Sequence, residues 1–298
     1  MTPPSAWSPG AAPRPTADQA VAVSGRAALL RSLHRPGEPL LLPNVWDCRG
    51  ARLVAQAGLP AVATSSAAIA DSLGYADGEA TPVGEMLDMV ARIAAAVDVP
   101  VTADLERGYG MRPVELVERL AATGAAGCNL EDTDPRTGRL VDAARQADLL
   151  AEVREAAEAC GVDLVVTARI DVYLDTAPGD PAGRLDETLR RARLYAAAGA
   201  DCVFPILLSD EAGIARLVAT GVAVNVLADS GRNLVRLAEL GVARISLGPH
   251  LYRAGRAHLA GVIADLVRAQ HPAALESSSP TGLAGVPAHT VAPPAAGT

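Results

Sequence analysis

Three apolar runs stop abruptly at charged residues: Val99-Pro-Val-Thr-Ala-Asp104-Leu-Glu106, Cys128-Asn-Leu-Glu131-Asp132 and Leu164-Val-Val-Thr-Ala-Arg169-Ile-Asp171. A short β-branched run of this kind buries its apolar side chains and delivers the last one to the rim of a sheet. Asp104, Glu106 and Glu131, with Asp77 on a neighbouring loop, would repel one another at close range, so their clustering implies a cation. A hard ion such as Mg²⁺, with Mn²⁺ as the alternative, takes carboxylates and water as ligands. Any one aspartate at a strand end could instead cap the next helix. Arg169 is the natural bidentate partner of a substrate carboxylate; the alternative is an ion pair with Asp171 or Glu131. Thr64-Ser65-Ser66-Ala67 offers small hydroxyls and backbone amides to an oxyanion.

The elements that position these residues recur along the chain. Ala57-Gly58, Thr123-Gly124, Cys160-Gly161, Ala198-Gly199, Thr220-Gly221 and Leu240-Gly241 each read as a helix stopping at glycine. A buried strand follows two or three residues later. With the opening run Leu40-Leu-Leu-Pro43, this predicts strands at 40–43, 61–64, 101–104, 127–130, 164–168, 202–205, 223–226 and 244–247. Amphipathic Ala- and Leu-rich segments lie between them, such as 113–123, 142–160, 183–198 and 249–269. Eight strands alternating with helices predict an α/β fold, a (β/α)8 TIM-type barrel, over an open doubly wound sheet. In the barrel the charged run ends share the catalytic rim, and Asn225 and Ser246 either line the pocket, Asn225 as a substrate contact, or fill the top layer. His250 reads as a first-turn helix residue.

The 298 residues are 50% hydrophobic, enough for one large core, expected over residues 25–270. Residues 1–24 and 271–298, rich in Pro, Ala and Ser, read as disordered tails. No apolar run reaches the roughly 20 residues of a membrane helix, and no secretory signal is evident. The net charge of −8 argues against nucleic acid as a partner. Cys48, Cys128, Cys160 and Cys202 lack zinc-site spacing and read as free thiols of a cytoplasmic protein. All 26 basic residues are arginine, which excludes Schiff-base and pyridoxal chemistry and a Walker-type phosphate lysine. An enolate would then need a divalent cation for its stabilisation.

Five motifs in order, Pro43-Asn-Val-Trp-Asp-Cys-Arg-Gly-Ala-Arg52, Ala63-Thr-Ser-Ser-Ala-Ala-Ile-Ala-Asp-Ser-Leu-Gly-Tyr-Ala-Asp77, Thr102-Ala-Asp-Leu-Glu-Arg-Gly-Tyr-Gly110, Asn129-Leu-Glu-Asp132 and Ala168-Arg-Ile-Asp171, resemble the isocitrate lyase and phosphoenolpyruvate mutase superfamily over residues 25–268. The resemblance implies a modified barrel that binds Mg²⁺ and passes 2-oxo or 2-hydroxy acids through a pyruvate enolate. It implies that Asp104 ligates the metal directly, while Asp77, Glu106 and Glu131 hold its waters. Ser65, Ser66 and Ala67 would cradle the pyruvyl oxygens and Arg169 a carboxylate, with Ser65, Arg169 and Glu131 as the catalytic group. Family members also associate through an exchanged C-terminal helix, so a homo-oligomer is expected.

The departures narrow the activity. The usual Asp-x-Asp is Asp104-Leu-Glu106, a change that water-mediated contact absorbs. The lyases' Lys-Lys-Cys-Gly-His loop is replaced by Thr133-Asp-Pro-Arg-Thr-Gly-Arg139, and the mutases' Lys-x-Asn element is missing. Isocitrate and methylisocitrate cleavage are therefore not expected. The reading is a Mg²⁺-dependent carbon–carbon lyase acting on a small carboxylic acid. The alternatives are phosphonomutase or phosphonopyruvate hydrolase chemistry, or a degenerate barrel retained as a binding module.

Overall fold

Every apolar run named above becomes a strand in the computed structural model, which describes residues 15–174, 181–228 and 233–270. The chain runs α1 (Ala17–Ser32), β1 (Leu40–Leu42), β2 (Asn44–Val45), α2 (Cys48–Gln56), β3 (Val62–Thr64), α3 (Ser66–Leu73) and α4 (Val83–Ala95). It continues through β4 (Val101–Asp104), α5 (Pro113–Thr123), β5 (Gly127–Glu131), β6 (Thr133–Asp134), β7 (Arg139–Leu140), α6 (Ala143–Ala159) and β8 (Val165–Ile170). Last come α7 (Pro181–Ala197), β9 (Cys202–Pro205), α8 (Glu211–Val218), β10 (Ala223–Leu227), α9 (Leu234–Glu239), β11 (Arg244–Ser246) and α10 (His250–Gln270).

The main sheet is parallel, in the order β1-β11-β10-β9-β8-β5-β4-β3-β2. Its two ends are β1, which covers the first predicted strand, and β2, which lies just beyond it; they are parted at Pro43, which has no N–H to give a ladder. β1 pairs with β11 and β2 with β3, so the sheet closes on itself through one residue. Asn44 stitches that seam. Its Nδ2 donates to Thr64 O at 2.7 Å, and its Oδ1 accepts from Leu247 N at 2.9 Å and Gly248 N at 2.8 Å.

One apolar cluster fills the space between the strands' outer faces and the helices. A second lies within the barrel, where Leu40, Leu42, Ala61, Ala63, Ala126 and Val165 meet Ala27 and Leu30 of α1. Leu40 and Val165 open their strands and Ala61 and Ala126 directly precede theirs, so α1 stoppers the end opposite the catalytic rim. Arg31 fastens it there, with Nη2 to Asp163 Oδ1 at 2.8 Å and Nε to Asp201 Oδ1 at 2.7 Å.

The α1 helix corrects the expectation of a tail over residues 1–24, because it begins at Ala17 and buries Ala20 and Val23. The missed signal is a capping box: Thr16 and Gln19 satisfy each other's backbone amides. Residues 1–14 and 271–298 lie outside the described residues.

Contacts divide the chain into two compact units, Met1–Arg253 and Ala254–Thr298. The first holds the barrel. The described part of the second, residues 254–270, is helical, has no buried side chain, and exposes Leu259, Val262, Ile263, Leu266 and Val267.

Barrel closure leaves no room at Gly127, where an added Cβ would stand 2.3 Å from Val165 O. Gly127→Ala is expected to destabilise the fold by about 1–3 kcal/mol, read as a lower urea midpoint. An unchanged midpoint would mean that β5 and β8 separate without cost.

Candidate active site

Strand register brings the charged run ends together. Asp104 lies beside Asn129, Asn129 beside Thr167, and one pleat higher Glu131 lies beside Arg169. Asp104, Glu131 and Arg169 are at the carboxy-terminal rim, where barrel loops gather catalytic groups, with Asn129 and Thr167 just below it.

Asp104 is held by the loop after β3. Its Oδ2 accepts from Ser66 Oγ at 2.8 Å and Ser66 N at 3.2 Å, and its own N–H donates to Thr64 Oγ1 at 2.9 Å. Both side-chain bonds fall on Oδ2, which leaves Oδ1 available. Ser65 caps α3, its Oγ accepting from Ala68 N at 3.3 Å. The first turn of a helix has amides without intrahelical partners; here Ser66 N and Ala68 N are satisfied, and Ala67 N has no acceptor among the described residues. Of the Ser65-Ser66-Ala67 cradle, the two serines thus hold protein groups and Ala67 keeps a free donor.

Glu106 is turned toward the neighbouring loop. Its Oε1 accepts from Tyr109 Oη at 2.6 Å and its Oε2 from Glu79 N at 2.5 Å. Glu79 answers with Oε1, which accepts from Tyr109 N at 2.6 Å and Arg107 N at 3.1 Å. Glu79, Glu106 and Tyr109 all adopt left-handed backbone, at φ 62°, 50° and 56°. Such conformations persist only where the surroundings over-determine them, often at functional sites. The two loops therefore lock each other, and each Glu106 oxygen retains a further lone pair for a metal-bound water.

Arg169 takes up both ion pairs weighed from the sequence: Nη1 lies 2.5 Å from Glu131 Oε2, and Nε donates to Asp171 Oδ1 at 2.7 Å. Asp171 N donates to Asp132 Oδ1 at 2.8 Å. Asp132, fully buried, accepts at Oδ2 from Arg191 Nη1 at 2.8 Å and Tyr195 Oη at 2.7 Å. Above Arg169 is a cavity of about 100 Å³, lined by Glu131, Arg169 and Asp171 and by Thr133, Gly138, Leu140 and Leu174. The β6–β7 hairpin, which occupies the place of the lyases' cysteine loop, forms one wall.

Three residues weighed from the sequence take structural places here. Asn225 is wholly buried, its Nδ2 on Ser246 Oγ at 2.9 Å, which is the top-layer place among its two readings. His250 opens α10 and places Nδ1 2.5 Å from Leu247 O. Cys128 is buried in β5, and that burial pushes its thiol up to about 12. Glu79, Tyr109 and the Asp132 network went unnoticed in the sequence. Only Glu79, which follows Gly78, and Tyr109, between Gly108 and Gly110, gave a signal, as turn residues.

Burial and mutual repulsion raise the acids of the rim. Asp77 is raised by burial and then by Asp104. Burial pushes Glu106 up to about 7, against the Tyr109 hydrogen bond and with help from Asp77 and Asp104. Glu131 is raised well above its usual range by burial, although Arg169 opposes the shift. Carboxylates so crowded are suited to a divalent cation. Among the described residues no three acidic side chains are placed to ligate one ion together. Mg²⁺ commonly keeps several waters and takes one or two carboxylates. One direct carboxylate, with the others on its waters, is therefore the arrangement that this donor set fits.

These shifts set a sign for pH dependence without metal. A carboxyl with a folded pKa above its unfolded value stabilises fully below the unfolded pKa, and the effect is lost as pH rises through the folded one. For Glu106 that window runs from 4.5 to about 7. In EDTA the melting temperature is expected to fall between about pH 5 and pH 7.5, Mg²⁺ should restore it, and Glu106→Gln should flatten the slope. A melting temperature that rises across this window would refute the assignment.

The fold and this rim define a (β/α)8 barrel whose catalytic mouth joins acidic residues to a buried arginine. A family model described as phosphoenolpyruvate phosphomutase matches residues 30–267. The chain belongs to that family, within the phosphoenolpyruvate mutase and isocitrate lyase superfamily. A solved structure from Burkholderia cenocepacia, provisionally described as a phosphonomutase, is 46% identical with a TM-score of 0.76, covering 80% of this chain and 99% of that one. The uncharacterized protein Rv1998c of Mycobacterium tuberculosis is 32% identical over 78% of this chain and 88% of its own length. An oxaloacetate decarboxylase of Ectopseudomonas mendocina is 31% identical over 70% of this chain and 72% of its own length. Further relatives are described as a 2-methylisocitrate lyase of Escherichia coli and a carboxyvinyl-carboxyphosphonate phosphorylmutase of Arabidopsis thaliana.

Proposed function

We propose that this protein is a Mg²⁺-dependent lyase that breaks a carbon–carbon bond of a small 2-oxo or 2-hydroxy acid, by retro-aldol cleavage or decarboxylation. The observation that carries the reading is the meeting at one rim of Asp104, fixed by Ser66, the free Ala67 amide, and Arg169 beneath a small cavity. Asp104 would hold the metal directly, with Asp77, Glu106 and Glu131 on its waters. A bound Mg²⁺ supplies charge stabilisation where the substrate oxygen becomes anionic. Ala67 N–H donates to that same oxygen, and Ser65 keeps the amide in place by capping α3. Arg169 binds the carboxylate in a bidentate manner, exchanging part of its contact with Glu131 for the substrate. Similarity to an oxaloacetate decarboxylase supports carbon–carbon chemistry.

The second reading is carbon–phosphorus chemistry, favoured by the 46% identity to the provisionally described phosphonomutase. A screen of 2-oxo and 2-hydroxy diacids and phosphonopyruvate, each with Mg²⁺ or EDTA, separates them, read by pyruvate release and, for phosphonopyruvate, also by conversion to phosphoenolpyruvate. Pyruvate from a diacid supports the lyase, and either product from phosphonopyruvate alone supports the second reading. Failure to bind Mg²⁺ or turn over any acid would leave a non-catalytic barrel.

The same reading makes the protein a cytoplasmic homo-oligomer. It is supported by four cysteines that form no disulfide and by the apolar stripe exposed on residues 254–270. No described helix is long and apolar enough to cross a membrane.

A further inference from the structure

Arg244, on β11, stands inside the barrel beneath the rim and is completely buried. Its Nη1 donates to Thr167 Oγ1 at 2.7 Å and its Nη2 to Asn129 Oδ1 at 3.1 Å, while its Nε has no acceptor. Both partners are neutral, and no carboxylate pairs with it among the described residues. A guanidinium buried without a counter-ion is costly, and an apolar side chain of similar length would fill the same space without that cost. The charge therefore has an electrostatic task.

The positions of its partners identify the task. Asn129 is the register neighbour of Asp104, and Thr167 lies directly below Arg169 on the same face of β8. Arg244 thus stands one layer below the groups that meet the substrate. Burial lowers the pKa of Arg244, with Cys202 and Asp104 opposing, and burial and then the Arg244 charge make His34 less basic, so its field extends both ways along the barrel axis. Four carboxylates crowd the rim above it, Asp77, Asp104, Glu106 and Glu131, while Arg169 is their arginine neighbour. A substrate that becomes a dianion during enolate formation adds negative charge to a mouth already rich in it, in a medium of low dielectric.

We infer that Arg244 is a positioning residue whose fixed buried charge, held by Asn129 and Thr167, offsets the negative charge of a dianionic substrate or enolate at the rim. The inference rests on the enolate reading given above. It predicts effects of opposite sign for cations and anions, which packing does not. Removing the charge weakens a dianion and leaves Mg²⁺ bound as well or better, whereas loosening the barrel weakens both.

The test uses the full-length protein in titration calorimetry, with Mg²⁺ alone and then with oxalate, a planar dianion shaped like a pyruvate enolate, at saturating Mg²⁺. Arg244→Met is expected to bind oxalate at least ~10-fold more weakly with Mg²⁺ affinity unchanged or higher. Arg244→Lys, which keeps the charge, is expected to stay within about 3-fold of wild type for both. Parallel loss of Mg²⁺ and oxalate in the methionine variant, or unchanged oxalate binding, would overturn the inference. If the methionine variant shows no cooperative melting, the lysine variant decides, since a folded lysine variant that loses oxalate also overturns it. A wild-type protein that binds neither Mg²⁺ nor oxalate would instead sink the enolate reading itself, and this inference with it.

Discussion

Asp104→Asn is expected to lower Mg²⁺ affinity by ~100-fold or more and metal-dependent turnover by ~10³-fold, with melting in EDTA close to wild type. The substitution is nearly isosteric. An asparagine Oδ1 still accepts from Ser66 Oγ and N, so the loop after β3 keeps its anchor and only the charge is lost. The loss should exceed that from removing any neighbouring carboxylate, because the others act through water while Asp104 would meet the ion. Calorimetry with Mg²⁺ on both proteins checks the first number, and the pyruvate-release assay checks the second. Wild-type Mg²⁺ affinity in the variant would move the metal away from β4 and remove the main support for the function proposed here.

Asp132→Ala carries the largest expected effect on stability, a loss of about 3–5 kcal/mol. The reason is what it abandons. Arg191, 5% exposed, and Tyr195, fully buried, lose their shared acceptor, and Asp171 N loses its own. Arg191 retains Glu187 at 2.7 Å, which is too little for a buried guanidinium. Urea unfolding should show the drop directly. Asp134→Ala, on the hairpin two residues away, loses only a pairing with the exposed Arg136 and should leave the urea midpoint close to wild type. Equal midpoints for the two variants would mean that the Asp132 network contributes nothing to the fold.

Strand positions were legible because the runs are short and apolar and six of the eight follow a helix-stopping glycine, so eight strands and their order followed from local signals alone. The short strand β2 just beyond Pro43 was not read. The α1 helix was misread because its Ala-rich sequence has only a weak apolar face, and its helical identity depends on Thr16, Gln19 and the barrel end it covers. At the site, residue types were legible because a charge at the end of a buried run has few other uses. Partner choice was not. Whether Arg169 faces a ligand or Glu131, and whether Glu106 faces an ion or Tyr109, is decided by distances between strands and loops that no linear spacing contains. Arg244 escaped notice for the same reason: in sequence it is one arginine among 26, and only closure of the barrel makes it a buried charge.

The seam at Asn44 bears on how the chain comes to be folded at all. Its bonds to Leu247 and Gly248 join residues 203 and 204 positions apart, and β1 finds its partner only in β11. Contacts of such separation are the slowest to form. During synthesis the amino-terminal strand leaves the ribosome first and is paired last, waiting with one edge open until nearly the whole chain has emerged. The time that this edge spends unpaired, more than the strength of any finished contact, sets the protein's exposure to aggregation while it is being made.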